Sequence, residues 1–220
     1  MNKIISFPNA QIATHTSFKI GFYLLPGFSM ISFSSLMETL RIVNKILGYE
    51  YYEIYTFSKT GGTVISSNGI PVHSNRTPSS QSSLDILFIV GQDYALCDEK
   101  EKFEKFNFDV SACCHILAAI DSGVEFLARH GYLDGYKVAI YWRKIKELEF
   151  QYHQIEFCNS LFVIDRNRYT ASGASAGIDL LLAIIQVKFG HDLAAQTSDY
   201  LCHHAPRAED TLQGTLKIKA

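Results

Sequence analysis

The chain has 220 residues, enough for one sizeable core and short for two full domains. Hydrophobic residues make up 47% and charged residues 19%, an ordinary soluble composition, and the longest late apolar stretch, Leu180 to Val187, is too short to span a bilayer. Twenty basic against twenty-two acidic residues leave a net charge of −2, which gives no electrostatic footprint for gripping DNA directly.

Residues 1–17 carry no sustained hydrophobic segment and read as a flexible lead-in, not a secretory signal. Phe18 to Leu25 is a hydrophobic β-type run ended by Pro26-Gly27. Either Ser29 or Ser32 caps the next helix, in which Phe33, Leu36, Met37, Leu40, Val43 and Leu47 recur as one buried stripe until Gly48. Tyr52 to Phe57 reads as a second strand, and Thr63 to Val72 as a hairpin broken at Ser67-Asn68-Gly69. After a loop from His73 to Ser83, Leu84 to Val90 is apolar on both faces, as central parallel strands are.

Gly91-Gln92 ends that strand, and Asp98 to Phe108 reads as a charged surface helix. Ile116 to Ile120 is a short buried strand that breaks at Asp121-Ser122-Gly123 and resumes at helical spacing from Val124. Lys137 to Tyr141 predicts a strand and Trp142 to Tyr152 a helix. Phe157 to Asp165 and Tyr169 to Ala171 pair around Arg166-Asn167; helices follow from Ile178 to Phe189 and from about Asp192 to Leu201.

This alternation argues an α/β fold: a doubly wound, mostly parallel sheet with helices on both faces. Ligands of such sheets bind outside the carboxyl ends of the strands, where Gly91-Gln92, Asp121-Ser122 and Tyr141-Trp142 converge. Strand, sharp turn and helix start form the geometry in which α/β enzymes present a nucleophile. Here Asp121 stands at the apex. Its plain reading is a helix N-cap worth about 1 kcal/mol. Its sharper reading is a carboxylate at a pocket mouth, attracting a guanidinium or quaternary ammonium group against the aromatic faces of Tyr141 and Trp142.

Five cysteines, odd in number and scattered, fit reduced cytoplasmic thiols better than a disulfide framework. Cys202-His203-His204 lacks a second ligand pair at a familiar spacing, so no metal is expected there. Glu38 and Arg41 are spaced to pair on the first helix or to serve a pocket. Asp179 reads as structural, holding a backbone turn.

Several motifs in a fixed order resemble the ThiJ/PfpI (class I glutamine amidotransferase-like) superfamily. More narrowly, they resemble the amino-terminal domain of GlxA-type AraC-family transcriptional regulators. The carrying stretches include Leu24 to Met30, Glu38 to Arg41 with Asn44, Asp85 to Gly91 and Ile120 to Gly123. Gly131 to Gly135, Trp142, Thr170 to Asp179 and Arg207…Gln213 continue the likeness, which covers nearly everything from residue 18 to 213. It implies a flavodoxin-like fold of the ThiJ/PfpI type.

Enzymes of that superfamily carry Ala-Ile-Cys-His-Gly at the elbow; the same register here reads Ala119-Ile120-Asp121-Ser122-Gly123. The glutamate that usually faces the cysteine falls on Ser32, the downstream histidine on Tyr141, and a second glycine on Gln92. A covalent route through this elbow would lack the activated thiol. The resemblance therefore implies a sensor without catalytic residues, cofactor or metal, whose ligand-binding residues are Asp121, Ser122, Gly91, Gln92, Tyr141, Trp142 and Ser32. The implied effector is an arginine- or betaine-like nitrogen compound. Residues 18–205 would form the sensor domain of a cytoplasmic homodimer. Residues 206–220 would begin a linker to an absent helix-turn-helix domain, the sole route to DNA; no membrane contact is implied. The alternatives are an amidase, hydratase or glyoxalase-like enzyme, and an oligomerisation module without ligand.

Overall fold

The computed structural model describes residues 17–77, 83–91 and 114–214. The predicted surface helix at Asp98 to Phe108, Gln92, and nearly all of the lead-in lie outside them. Among the described residues a six-stranded sheet runs in the order β2 (Tyr52–Phe57), β1 (Phe18–Leu24), β5 (Leu84–Val90), β6 (Cys114–Ile120), β10 (Arg168–Ala171), β9 (Phe162–Asp165). All neighbours pair in parallel except the β10–β9 hairpin at one edge. Two small sheets flank it: the hairpin β3 (Gly62–Ile65) with β4 (Pro71–Ser74), and β7 (Lys137–Ala139) parallel with β8 (Glu156–Cys158).

The central strands read as continuous apolar runs because both of their faces are covered. Ile20, Phe22 and Leu24 of β1, with Ile86, Phe88 and Val90 of β5, point into one core. There they meet α1 (Met30–Leu47), α4 (Ala176–Phe189) and α5 (His191–Tyr200). Tyr23, Leu87, Ile89, Leu117 and Ala119 point to the other side, against α2 (Gly123–Arg129) and Leu148 of α3 (Ile145–Gln151). This is the doubly wound arrangement expected from the sequence. Of the two candidate caps for α1 it is Ser29 that serves, its hydroxyl accepting the Ser32 N–H at 3.3 Å. Gly48, at φ 76, closes the helix by returning its N–H to Asn44.

Four expectations are corrected. The strand from Lys137 stops at Ala139, and the predicted helix from Trp142 opens as a 3-10 turn, Trp142–Lys144, before α3. The cause lies far along the chain. The Gln213 side chain donates to the Ile140 carbonyl at 2.8 Å and accepts the Trp142 N–H at 3.2 Å, taking groups a longer strand would have used. The run from Phe157 to Asp165 splits into β8 and β9, which belong to different sheets. Between them, Asn159 and Leu161 bond to the backbone of Gln213 and Thr211. Finally, Asp121 is not the helix cap. Ser122 holds that position with helical dihedrals and no side-chain cap bond, while Asp121 sits at φ 60.

Candidate functional site

Strand β6 ends at Ile120, and the backbone reverses through Asp121 directly into α2. A non-glycine residue at φ 60 lies in the left-handed region, which Asp tolerates better than most because its short polar side chain bonds locally. Neighbours on every side over-determine the bend. Asp121 donates its N–H to the Ala171 carbonyl at 3.1 Å and accepts the Val124 N–H at 3.2 Å. A Cβ on Gly123 would lie 2.2 Å from the Ile89 carbonyl oxygen, and one on Gly91 would lie 2.4 Å from Ser122 Oγ. The glycines at 91 and 123 thus let β5 and the elbow touch backbone to backbone.

Under the elbow lies Ser32, fully buried on the first turn of α1. Its hydroxyl is 3.0 Å from Ser29 Oγ and 3.4 Å from an Asp121 carboxylate oxygen, and it accepts the Ala174 N–H at 2.9 Å. Beside the carboxylate, Gly173 at φ 134 holds a backbone conformation that favours glycine, and a Cβ there would lie a tight 3.0 Å from Asp121 Oδ2.

An open cleft of about 940 Å³ faces this elbow. Asp121, Ser122, Tyr141 and Trp142, all expected from the sequence, line it together. Gly91 and Ser32 stand beneath the elbow and outside the lining, and the Ser67-Asn68-Gly69 turn does not border it. Gln92 lies outside the described residues. Tyr141 and Trp142 are 44% and 40% exposed, their rings at 62° and 6.1 Å apart, because the chain leaves the strand just before them. Arg143 sits over the Trp142 ring at 5.1 Å.

Both signs of charge line the cleft. Glu125 is buried and pairs with Arg129 at 3.1 Å; Glu147 pairs with Lys144 at 3.1 Å. Arg207 reaches back to Asp179 at 2.6 Å and to Ser175 Oγ at 2.8 Å. Asp179 therefore does hold the backbone, accepting the Arg207 N–H at 2.8 Å and facing His203 Nε2 at 2.8 Å. Glu38 and Arg41 form an exposed pair on α1, away from the cleft. Cys114, Cys158 and Cys202 form no disulfide, and none of them lines the cleft.

Sequence reasoning missed the far wall of the cleft, made by Arg207 and Thr211 to Gly214. The signal existed, since Arg207 and Gln213 were among the resembling positions. Nothing local assigned them a place, because their partners are 28 and 73 residues away.

A sequence profile of the DJ-1/PfpI family matches residues 18–187. The chain is 30% identical over 194 residues to the HTH-type transcriptional regulator GbdR of Pseudomonas aeruginosa, an alignment covering 88% of this chain and 53% of the relative. It is 34% identical over 178 residues to the HTH-type transcriptional regulator CdhR of the same species, covering 81% and 53%. The chain thus spans about half the length of these curated relatives. Among solved structures, an AraC family transcriptional regulator from Pseudomonas putida superposes with a TM-score of 0.73. The two are 25% identical, over 84% of this chain and 99% of that one.

Proposed function

This chain belongs to the DJ-1/PfpI family, and from that premise we propose that it is the ligand-sensing part of an AraC-type transcriptional regulator, whose elbow recognises a small molecule instead of reacting with one. The similarity to proteins named as transcriptional regulators supports the reading. The observation that carries it is Asp121 at the apex. Among the described residues the lining of this cleft contains neither Cys nor His, so beside the carboxylate they offer no thiol–imidazole pair for covalent acyl transfer. The carboxylate is instead well made to attract a cation, with the half-exposed rings of Tyr141 and Trp142 as π-faces.

The effector we infer is a small nitrogen-containing metabolite bearing a guanidinium or quaternary ammonium group, bound by Asp121, Ser122, Tyr141 and Trp142. Gly91 and Ser32 act beneath the elbow by fixing its shape, and Gln92 is proposed to contribute to the same site. The sensor works as a cytoplasmic homodimer and reaches DNA through a helix-turn-helix domain of the kind its relatives' names state. No helix among the described residues is long and apolar enough to cross a membrane.

A thermal-shift screen with arginine, choline, glycine betaine, carnitine and polyamines tests this. A compound that binds the folded state raises the melting temperature with concentration. The expected result is stabilisation of the wild type and none of Asp121→Ala. Hydrolytic turnover that disappears in Asp121→Ala would instead make the elbow an enzyme's. A screen with no stabilising compound would leave a structural module.

A further inference from the structure

The twelve residues 203–214 contain no regular secondary structure, and Gln213 alone among them is buried. An irregular segment with so little apolar burial holds its place through separate polar contacts, and this segment has them in two groups. At one end Asp179, whose side chain is fully buried at the start of α4, takes the Arg207 N–H and guanidinium and faces His203. At the other end the chain lies antiparallel to residues 159–161. Leu161 N–H donates to the Thr211 carbonyl, Gln213 N–H to the Asn159 carbonyl, and Asn159 Nδ2 to the Gln213 carbonyl, all at 3.0 to 3.1 Å. The Gln213 amide then donates to the Ile140 and Ser160 carbonyls at 2.8 and 2.7 Å. Gly214, at φ 63, presses so closely on the Trp142 indole that a Cβ would lie 2.9 Å from it.

Between these attachments the segment is not tightly packed. A second, open hollow of about 540 Å³ borders its 204–209 stretch and is also lined by Phe162, Ile164 and Leu182. On its other side the same segment is the far wall of the cleft that faces Asp121. An element held by a few hydrogen bonds beside an open groove is the kind that opens locally, at a free energy well below that of the whole fold.

We propose that residues 203–214 are a strap that docks and undocks as a unit, and that a ligand in the Asp121 cleft reports its presence by holding the strap down. This rests on the sensing reading above and adds how that site is read out. A molecule touching both the elbow and the far wall binds the docked arrangement better than the undocked one, and that difference is what a coupling requires. The strap ends at Gly214, the last of the described residues. Docking therefore fixes the position and direction of whatever follows residue 214, while undocking frees both. Trp142 is the hinge of the effect, since its indole touches Gly214 on one side and lines the cleft on the other.

Amide hydrogen exchange on the full chain tests the strap. The reporters are the N–H groups of Trp142, Leu161, Arg207 and Gln213, each bonded across the junction between the strap and the rest of the domain. The probe is whichever of arginine, choline, glycine betaine, carnitine or the polyamines stabilises the wild type most. At saturation it slows these four amides at least about five-fold, the lower end of typical coupling, while β5 and β6 keep the slowest exchange in the chain. Asn159→Ala removes a strap contact without touching the cleft lining. Its unliganded strap exchanges faster than the wild type's, and the ligand slows it again. His203→Gln loosens the opposite end and gives the same pattern should Asn159→Ala fold poorly. A ligand that stabilises the wild type, loses its effect in Asp121→Ala, and leaves strap exchange unmoved would overturn the strap while sparing the sensor. A panel with no binder would overturn the sensor and the strap together.

Discussion

The hydroxyl of Ser32 lies 3.4 Å from the carboxylate of Asp121 and ties the first turn of α1 to the elbow. The two residues form a matched pair. With a carboxylate at the apex, a second carboxylate at position 32 would face it across a buried gap, where like charges repel strongly. A small hydroxyl donates there instead. Ser32→Ala, which also strips the Ala174 N–H of its acceptor, is expected to cost about 1 kcal/mol by denaturant melt. Ser32→Glu is expected to cost more at pH 7. Repulsion raises the carboxyl pKa values in the folded state, so the folded state holds more protons than the unfolded one, and the added cost shrinks as pH falls. Equal costs for the two variants, unchanged with pH, would contradict the pairing.

The elbow's shape depends on close backbone approach. Gly123→Ala drives a Cβ to 2.2 Å from the Ile89 carbonyl oxygen, and neither backbone can give way without breaking β5 from β6. A loss of about 3 kcal/mol is expected, the upper end of overpacking costs. Gly135, at φ 74 with nothing near its would-be Cβ, is the control. Gly135→Ala carries only the left-handed backbone penalty, about 1 kcal/mol. Urea midpoints rank the two.

Lys188 of α4 supplies a pH dependence. Its ammonium lies 3.8 Å from the Phe18 ring and 5.0 Å from that of Tyr51. Burial pushes its pKa down to about 8, with Asp85 pulling the other way. A lysine whose folded pKa is depressed below its ordinary 10.5 penalises the fold while charged in both states. Between about pH 8 and 10.5 the unfolded chain holds the proton and the folded chain does not, so stability rises with pH. Burial pushes Tyr51 and Tyr169 up to about 12, so above pH 10 the unfolded chain loses tyrosine protons first and stability falls. Lys188→Met is expected to be more stable than the wild type at pH 7 and to lose the rise above pH 8. Parallel wild-type and variant pH curves would contradict the assignment.

The Asp179 clamp predicts a local effect on the strap as well as a global cost. Asp179→Ala leaves Arg207 without its carboxylate. Because the guanidinium is partly exposed and able to turn toward water, the expected loss is about 2 kcal/mol, below that of a fully buried pair. Trypsin cleavage after Arg207 is expected to accelerate far more than that of the core. Cleavage that merely follows global stability would show that residues 203–214 are not separately held.

What the sequence made legible follows from the range of each interaction. The central strands and α1 were readable because their burial is written in local periodicity, as in Ile86, Phe88 and Val90 against Leu87 and Ile89. The elbow was readable as a break between two periods, and Asp121 as its apex. Its cap role was misjudged because an N-cap and a left-handed elbow residue favour the same short polar side chains. The break at Tyr141, the split between β8 and β9, and the far wall of the cleft all trace to Gln213 and its neighbours. No local pattern shows a glutamine 73 residues away claiming the Ile140 carbonyl.

The most direct measurement is the dissociation constant of the stabilising metabolite for the wild type and for Asp121→Asn, by titration calorimetry. Asn keeps the side chain's size and its tolerance of a left-handed backbone while removing the charge. The account predicts at least about ten-fold weaker binding, the loss expected when a charged partner of a cationic group is neutralised, with no chemical turnover in either protein. Equal affinities, or consumption of the metabolite by the wild type, would contradict it.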